Sequence, residues 1–519
     1  MKPLYLLGVD IGTNSCKVVL IQPTGDLIAT ASEEYPTLYP RSGWAEQHPD
    51  HWYAAFKTAL GKLVRQTGIA SEQVEAVGVT GQMVSLVCLD RGGQVLRDCI
   101  LWLDQRASAE VVWLKRDLGQ KFQEVTCLPI NQSFTLPKLL WLKGNEPSIW
   151  KALYQVQLPK DYLRYRLTGT WATDVSDASG TMLFDLHHLD WSDRACDMAG
   201  VPRDKLPPVA RSHQMVGQIQ AAAARDLGLR EGVPVVAGAA DLAADNLATG
   251  ITKPGQWVTR MGTAGSTSLL LDEPIRDWQG ICFCAAHCLP GKYILEVGTH
   301  SFGRAYRWFK DTFGAPGSEG DAGETRNPYE IMEELVAEVP VGAGELVFHP
   351  FVAGSPYWHP DLRGAFLGIL PKHRKSHFAR AVLEGTAFTL YDSIALLKNL
   401  AQTEMKEYIL VGGGSKSATW RQIVCDVLGH DAVVLENCDA ALGAAMLAGV
   451  GAKVFAGFPQ AVARCVKRKL TVQYDPEHHR RYQYLRETFH RTHQFMSGMF
   501  PLEGQERRAE PESAKDGCR

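Results

Sequence analysis

The sequence predicts an α/β protein made of two related halves, and three features carry that prediction. An apolar strand, a Gly-Thr turn and a second apolar strand open the chain over residues 4–21. The same arrangement returns over residues 256–271, and in the last third helical patterns alternate with short apolar strands. With 519 residues the chain is long enough for more than one domain. We expect an N-terminal domain over 1–252, a C-terminal domain over 253–490 and a polar, partly disordered tail over 491–519. The hinge falls in Gly250-Ile251-Thr252-Lys253-Pro254-Gly255.

Each element follows from local pattern. Residues 4–9 and 16–21 are apolar strands separated by a turn from Asp10 to Asn14, and Pro23-Thr24-Gly25-Asp26 turns the chain into a third strand from Leu27. Asp50 is placed to cap a helix whose apolar face is Trp52, Phe56, Leu60, Leu63 and Val64, and buried strands are expected at 74–79 and 84–89. In the second half, strands at 256–261 and 267–271 flank Gly262-Thr263-Ala264-Gly265-Ser266. Residues 378–400 and 419–428 have helical period around a strand at 408–411. Residues 311–328, rich in Gly, Asp and Glu, are expected as a mobile surface loop, and 503–519 as disordered.

Composition narrows the function classes. Lys and Arg number 54 against 57 Asp and Glu, for a net charge of −3, so the concentrated positive surface that nucleic acid demands is missing. No run approaches the ~18 apolar residues of a spanning helix, and Asp10 interrupts the first apolar run too early for a signal peptide. No membrane partner is expected, and the cytoplasm is the expected location. The twelve scattered cysteines suit a reducing compartment. Cys282, Cys284, His287 and Cys288 invite a zinc reading, but no second ligand pair lies at finger-like spacing, so they are read as packed strand and turn residues.

The glycine turns carry the chemistry. Gly12, Thr13 and Asn14, between two strands, direct N–H groups and a hydroxyl into one concavity that suits phosphate, and Lys17 adds positive charge. Asp10, at the strand end, suits a magnesium ion held through water. Gly262-Thr263 repeats the turn. A third, Gly412-Gly413-Gly414, follows the strand at 408–411, where adenine can lie over Gly413 and Gly414 next to Ser417. None of the three has the P-loop spacing, and the Asp10 turn is not G-x-G-x-x-G. A strand-turn-strand phosphate clamp duplicated across two halves points instead to two actin-like (RNase H-like) ATPase domains flanking a central cleft. Asp241 ends an apolar strand and enters a small-residue helix, which suits a carboxylate that takes a proton from an attacking hydroxyl. The plainer alternatives are that Asp241 merely caps that helix or that Asp245 takes the role, and the choice favours Asp241.

These residues sit among segments that resemble the FGGY carbohydrate kinases, and within them the xylulose kinases. Gly364-Ala365-Phe366-Leu367-Gly368-Ile369, followed after seven residues by His377-Phe378-Ala379-Arg380-Ala381-Val382-Leu383-Glu384, is similar to that family's second signature. Gly81-Gln82-Met83, Trp102-Leu103-Asp104-Gln105-Arg106 and Leu158-Pro159-Lys160-Asp161-Tyr162-Leu163 are also similar to family segments. So are Thr173-Asp174-Val175-Ser176-Asp177-Ala178-Ser179-Gly180-Thr181 and Ala441-Leu442-Gly443-Ala444-Ala445. The resemblance spans roughly residues 4–490. It implies ATP with Mg2+ as cofactors, a sugar substrate, and a homodimer as a common assembly. It also implies Asp241 as catalytic base and Asp10 as the magnesium-associated aspartate. Gln82, Met83, Val84, Trp102, Asp104 and Leu242 fall on the sugar side, with Arg106 supporting through a salt bridge; Trp102 is equally suited to core packing.

Two positions depart from the xylulose kinase pattern, Val84 where His is usual and Leu242 where Asn is usual. The Gly354-Ser355-Pro356-Tyr357-Trp358-His359 loop also lacks that subfamily's Glu-Arg pair. Each lost polar contact is worth ~1–3 kcal/mol of discrimination. The expected activity is phosphoryl transfer from ATP to a sugar hydroxyl, with a ketopentose such as D-xylulose as first acceptor and another ketose or a polyol as the alternative. A nucleotide-gated binding or regulatory protein of the same fold is the competing class.

Overall fold

A computed structural model describes residues 4–299, 301–314, 327–354, 362–496 and 499. Most of the loop expected at 311–328, the 355–359 part of the Gly354 loop and the tail at 503–519 lie outside the described residues. The final helix, Pro476–Met496, continues past residue 490, with Met496 buried beside Phe351 and Leu362.

The two halves share one sheet plan. In the N-terminal half the strand order is Met215–Gln218, Pro234–Val236, Val74–Gly81, Tyr5–Ile11, Ser15–Ile21, Leu27–Glu34. In the C-terminal half it is Arg468–Val472, Ala432–Leu435, Glu407–Val411, Gln256–Met261, Gly265–Leu271, Tyr293–Thr299, with Phe283–Ala286 added at the edge. Sense matches as well as order: Tyr5–Ile11 is parallel to Val74–Gly81 and antiparallel to Ser15–Ile21, just as Gln256–Met261 is parallel to Glu407–Val411 and antiparallel to Gly265–Leu271. Central strands buried on both faces are near-continuous apolar runs, which is why they were legible.

Local details correct two expectations. Asp50 does not cap its helix: Pro49 takes the first helical position, so His48 becomes the cap and Asp50 sits in the first turn, where its carboxylate accepts from the Tyr162 hydroxyl at 2.5 Å. The strand expected at 84–89 is shortened to Val87–Leu89, because Val84 adopts φ 59°, a left-handed conformation that breaks an extended run.

The halves interlock through an Ala/Gly helix, Ala440–Gly451. It belongs in sequence to the C-terminal half but packs on strands Tyr5–Ile11 and Val74–Gly81 and on helix Asp241–Ala248. Its approach leaves no room for side chains: a Cβ on Gly8 would lie 2.0 Å from the Ala441 carbonyl oxygen, and one on Gly443 would lie 1.9 Å from that of Ala244. No helix among the described residues is long and apolar enough to cross a membrane. Cys282, Cys284 and Cys288 are buried; Cys288 Sγ lies 3.3 Å from the Ala243 carbonyl, and His287 Nδ1 accepts from the Leu289 N–H at 3.0 Å.

Candidate active site

Asp241 is delivered by the short strand Ala239–Ala240, which pairs with Thr80 and Gly81 at the end of a central strand. Ala240 holds the cap position without a side-chain bond, so Asp241 is the first residue of the helix rather than its cap. Its Oδ1 accepts from the Leu242 N–H at 2.8 Å. Burial pushes its carboxyl up to about 7; the Leu242 N–H opposes this, the charges of Asp245 and Glu296 add to it, and Arg260 works against it. Asp245, the rival, is committed elsewhere: its carboxylate pairs with Arg260, whose guanidinium also reaches Glu296 at 3.5 Å. Arg260 stands two residues before Gly262, so this ion pair ties the Asp241 helix to the second glycine turn.

Asp10 lies near the end of the first strand, and its Oδ1 is buried without a hydrogen-bond partner. Burial pushes this carboxyl up to about 8, the carboxylates of Asp241, Asp439 and Asp245 add to the shift, and Lys17 opposes it. Beyond it the turn closes with Gly12 N–H donating to the Ser15 carbonyl at 3.0 Å, and Asn14 is exposed. Lys17 is not a free cation, since its ammonium lies 2.5 Å from Asp439, the N-cap of the interlocking helix.

Beside this turn the sugar-side candidates separate. Gln82 is buried; its amide N–H donates to Gln47 Oε1 at 3.0 Å, while its own Oε1 has no partner. Trp102 is 40% exposed, and its indole N–H donates to Thr13 Oγ1 at 3.0 Å, so it stands over the first turn rather than in the core. Met83 and Leu242 are partly buried. Two candidates are drawn into the protein. Asp104 is fully buried, accepting from the Ala45 N–H and from Arg106, whose guanidinium stacks over Trp44 at 3.7 Å. Val84 is buried against Gly180, and its carbonyl accepts from Thr135 at 3.1 Å and Lys138 at 3.3 Å. The Asp104–Arg106 salt bridge is the support expected of Arg106.

The other two turns sit side by side at the ends of paired strands and line one cavity of about 650 Å³ in the C-terminal half, with Gly262, Thr263, Gly413, Gly414, Ser417 and Tyr306 among its walls. Gly262 and Thr263 offer their carbonyls to the N–H groups of Gly303 and Arg304, both at 2.9 Å, which fixes the turn against the following helix. A Cβ on Gly414 would lie 2.9 Å from the Met261 side chain, so only glycine lets the backbone form this wall. The Ser417 hydroxyl caps helix Ala418–Leu428 through the Trp420 N–H at 3.0 Å and donates to Glu333. Gly12, Thr13, Asn14 and Lys17 lie on the N-terminal half and do not line this cavity.

Gln47, in the family-like segment Gly43-Trp44-Ala45-Glu46-Gln47 but without an expected role, accepts from Gln82 and Trp52 and donates to Thr13 O at 2.7 Å; Arg260, Glu296, Asp439 and Glu333 are contributors the sequence reading does not reach. Asp439 alone carried a local signal, an Asp just before an apolar helical run.

The model for the N-terminal domain of the FGGY family of carbohydrate kinases matches residues 5–248, and that for the C-terminal domain matches 258–452. The chain belongs to the FGGY family of carbohydrate kinases. Among relatives of this FGGY kinase, the xylulose kinase of Bacillus subtilis (strain 168) is 33% identical over 469 residues, 89% of this chain and 91% of that one. A gluconokinase from the same organism is 30% identical, covering 85% of this chain and 86% of that one. The crystal structure of xylulose kinase from Rhodospirillum rubrum superposes with a TM-score of 0.86 at 29% identity, over 95% of this chain and 98% of that one. The FGGY chain is thus an ATP-dependent sugar kinase with the expected two-domain, actin-like architecture.

Proposed function

We propose that this kinase phosphorylates a ketopentose such as D-xylulose, with Asp241 as the general base. The observation that carries the assignment of the base is that Asp241 accepts one hydrogen bond among the described residues and holds its carboxyl near neutrality, while neighbouring Asp245 is occupied by Arg260. Such a group takes the proton of the attacking hydroxyl as the phosphoryl group transfers. The relatives named xylulose kinase support the acceptor.

On the sugar side, the unpartnered Gln82 Oε1 is an acceptor for a sugar hydroxyl, and exposed Trp102 offers a flat wall beside the first turn. The N–H groups around Gly12 to Asn14 and around Gly262 and Thr263 hold phosphate oxygens, with adenine against Gly413 and Gly414. Asp10 fits Mg2+: its Oδ1 is an orphaned buried oxygen, and a lone carboxylate suits an ion that retains water and takes phosphate ligands. Bound with the nucleotide, Mg2+ supplies positive charge that offsets the phosphates; Asp10 orients it. The apolar, partly buried Leu242 beside the base favours a second reading, a less polar ketose or another polyol, and a gluconokinase among the relatives widens the panel.

The test is acceptor-dependent ADP release with ketopentoses, polyols and gluconate, using the wild type and Asp241→Ala. We expect the highest kcat/KM on D-xylulose and loss of turnover in the variant with nucleotide binding retained. No ADP release above background with D-xylulose would refute the acceptor, and wild-type turnover in Asp241→Ala would refute the base.

A further inference from the structure

Behind Asp241 lies a buried polar cluster that the chemistry above does not use. Lys160 is fully buried and reaches Asp161 at 2.5 Å, Asp174 at 3.0 Å and Asp177 at 3.3 Å. Arg164, also fully buried, reaches Asp161 at 2.8 Å. Ions withdrawn from water to this degree are costly unless each is paired, so the arrangement fixes the groups it touches. Asp174 Oδ2 accepts the hydroxyl protons of Ser176 and Ser212, both at 2.6 Å. The Ser176 hydroxyl has a single proton, spent on Asp174, so toward its other neighbour it can only accept. That neighbour is the Ala240 N–H at 3.0 Å, on the residue immediately before Asp241.

The same segment is held along its length. Arg164 donates to the Ala237 carbonyl at 3.1 Å, Gly238 N–H to the Ser212 carbonyl at 3.0 Å, and Thr80 Oγ1 to the Ala239 carbonyl at 2.7 Å. Gly238 has φ 83°, and a Cβ there would lie 1.9 Å from the Val79 carbonyl oxygen, so the strap is pressed against the central strand. Ala240 brings no capping side chain of its own. Besides the strand pairing of Ala240 with Gly81, the bond from the Ala240 N–H to Ser176 is the last side-chain restraint among the described residues before the helix begins at Asp241.

We propose that Ser176, locked by Asp174 and Lys160, is a positioning residue that sets where the Asp241 carboxylate stands at the start of its helix. The inference rests on the reading of Asp241 as the base. Loss of the Ser176 hydroxyl leaves the Ala240 N–H buried without an acceptor, and the strap shifts to relieve it. A displaced base slows the chemical step while the contacts of Gln82, Trp102 and the glycine turns persist, because those lie on other elements.

The test compares Ser176→Ala with Ser179→Ala and Ser176→Thr in the full chain, with Asp241→Asn measured alongside. Ser179 is a control in the same short helix: its buried hydroxyl donates to the Ser176 carbonyl at 2.6 Å and accepts the Ala286 N–H at 3.1 Å, and neither bond reaches the Ala240 N–H. Ser176→Ala is expected to lower kcat ~10–100-fold with both KM values within about twofold of wild type. Ser179→Ala is expected to keep kcat within about twofold, and Ser176→Thr, which retains the hydroxyl, to recover most of the rate. Equal kcat losses in the two alanine variants, or none in Ser176→Ala, overturn the proposal while inactivity of Asp241→Asn leaves the base reading standing. Turnover by Asp241→Asn overturns the base reading and this inference with it.

Discussion

The Lys17 ammonium lies 2.5 Å from the Asp439 carboxylate, joining the second strand of one half to the cap of a helix from the other. Both side chains are about one-third exposed, so the pair adds little stability. Its effect is electrostatic: Asp439 engages the Lys17 ammonium and raises the neighbouring Asp10 carboxyl. Asp439→Asn keeps a capping side chain and removes the charge. The KM for MgATP is expected to fall ~2–5-fold in low salt, with the gain shrinking as ionic strength rises. Initial-rate kinetics at two salt concentrations check this.

The proposed role of Asp241 carries a pH dependence of known sign. Asp241 must be ionised to accept a proton, and its carboxyl sits at about 7, so kcat is expected to fall as pH drops through 7, approaching ~10-fold per unit. A kcat plateau extending down to pH 5 would contradict the assignment.

Stability runs the opposite way. Because the Asp241 pKa in the fold is raised above its unfolded value of 3.8, the neutral carboxyl's contribution is complete below that value and is lost as pH rises through about 7. Asp241→Asn is therefore expected to stabilise the ligand-free protein by ~2–4 kcal/mol at pH 8, with the advantage vanishing near pH 4. Thermal melts across that range measure the difference.

The interlocking helix tolerates no added volume. Gly8→Ala puts a methyl group 2.0 Å from the Ala441 carbonyl oxygen and Gly78→Ala puts one 1.9 Å from that of Ala444; both contacts are with backbone, which cannot rotate away. Each is expected to cost at least ~1–3 kcal/mol, measured as a lower urea midpoint. Gly413→Ala, with open space around its Cβ, is the neutral control for folding.

On the sugar side, Gln82→Leu removes the unpartnered Oε1 while keeping the side-chain volume. The KM for the sugar is expected to rise ~5–100-fold and that for MgATP to move less than twofold, the signature of a contact made to the acceptor alone.

Much of this fold was written in local pattern. The strands Tyr5–Ile11, Ser15–Ile21, Gln256–Met261 and Glu407–Val411 are continuous apolar runs bounded by Gly turns, and the helices Lys375–Ala401 and Ala418–Leu428 have clear period. Where the pattern misled, a single backbone preference was responsible, Pro49 shifting a cap and Val84 ending a strand. Glycine turns and the strand-to-helix position of Asp241 were legible for the same reason, since each is a property of adjacent residues. Asp104 was named for the sugar side because it lies in a segment with Trp102, but its oxygens are consumed by Arg106 and the Ala45 N–H, a contact 59 residues away in sequence.

The sequence by itself determined the α/β class, the duplicated turns and the carboxylates Asp10 and Asp241, because strand, turn and helix preferences act over a few neighbouring residues. Only the tertiary structure decided that Asp245 is occupied by Arg260 while Asp241 has one bond among the described residues, that Lys17 is held by Asp439, and that the Ala240 N–H before Asp241 meets the Ser176 hydroxyl. Those partners are brought together by the packing of separate elements, and the burial that comes with it raises the Asp10 and Asp241 carboxyls toward neutrality.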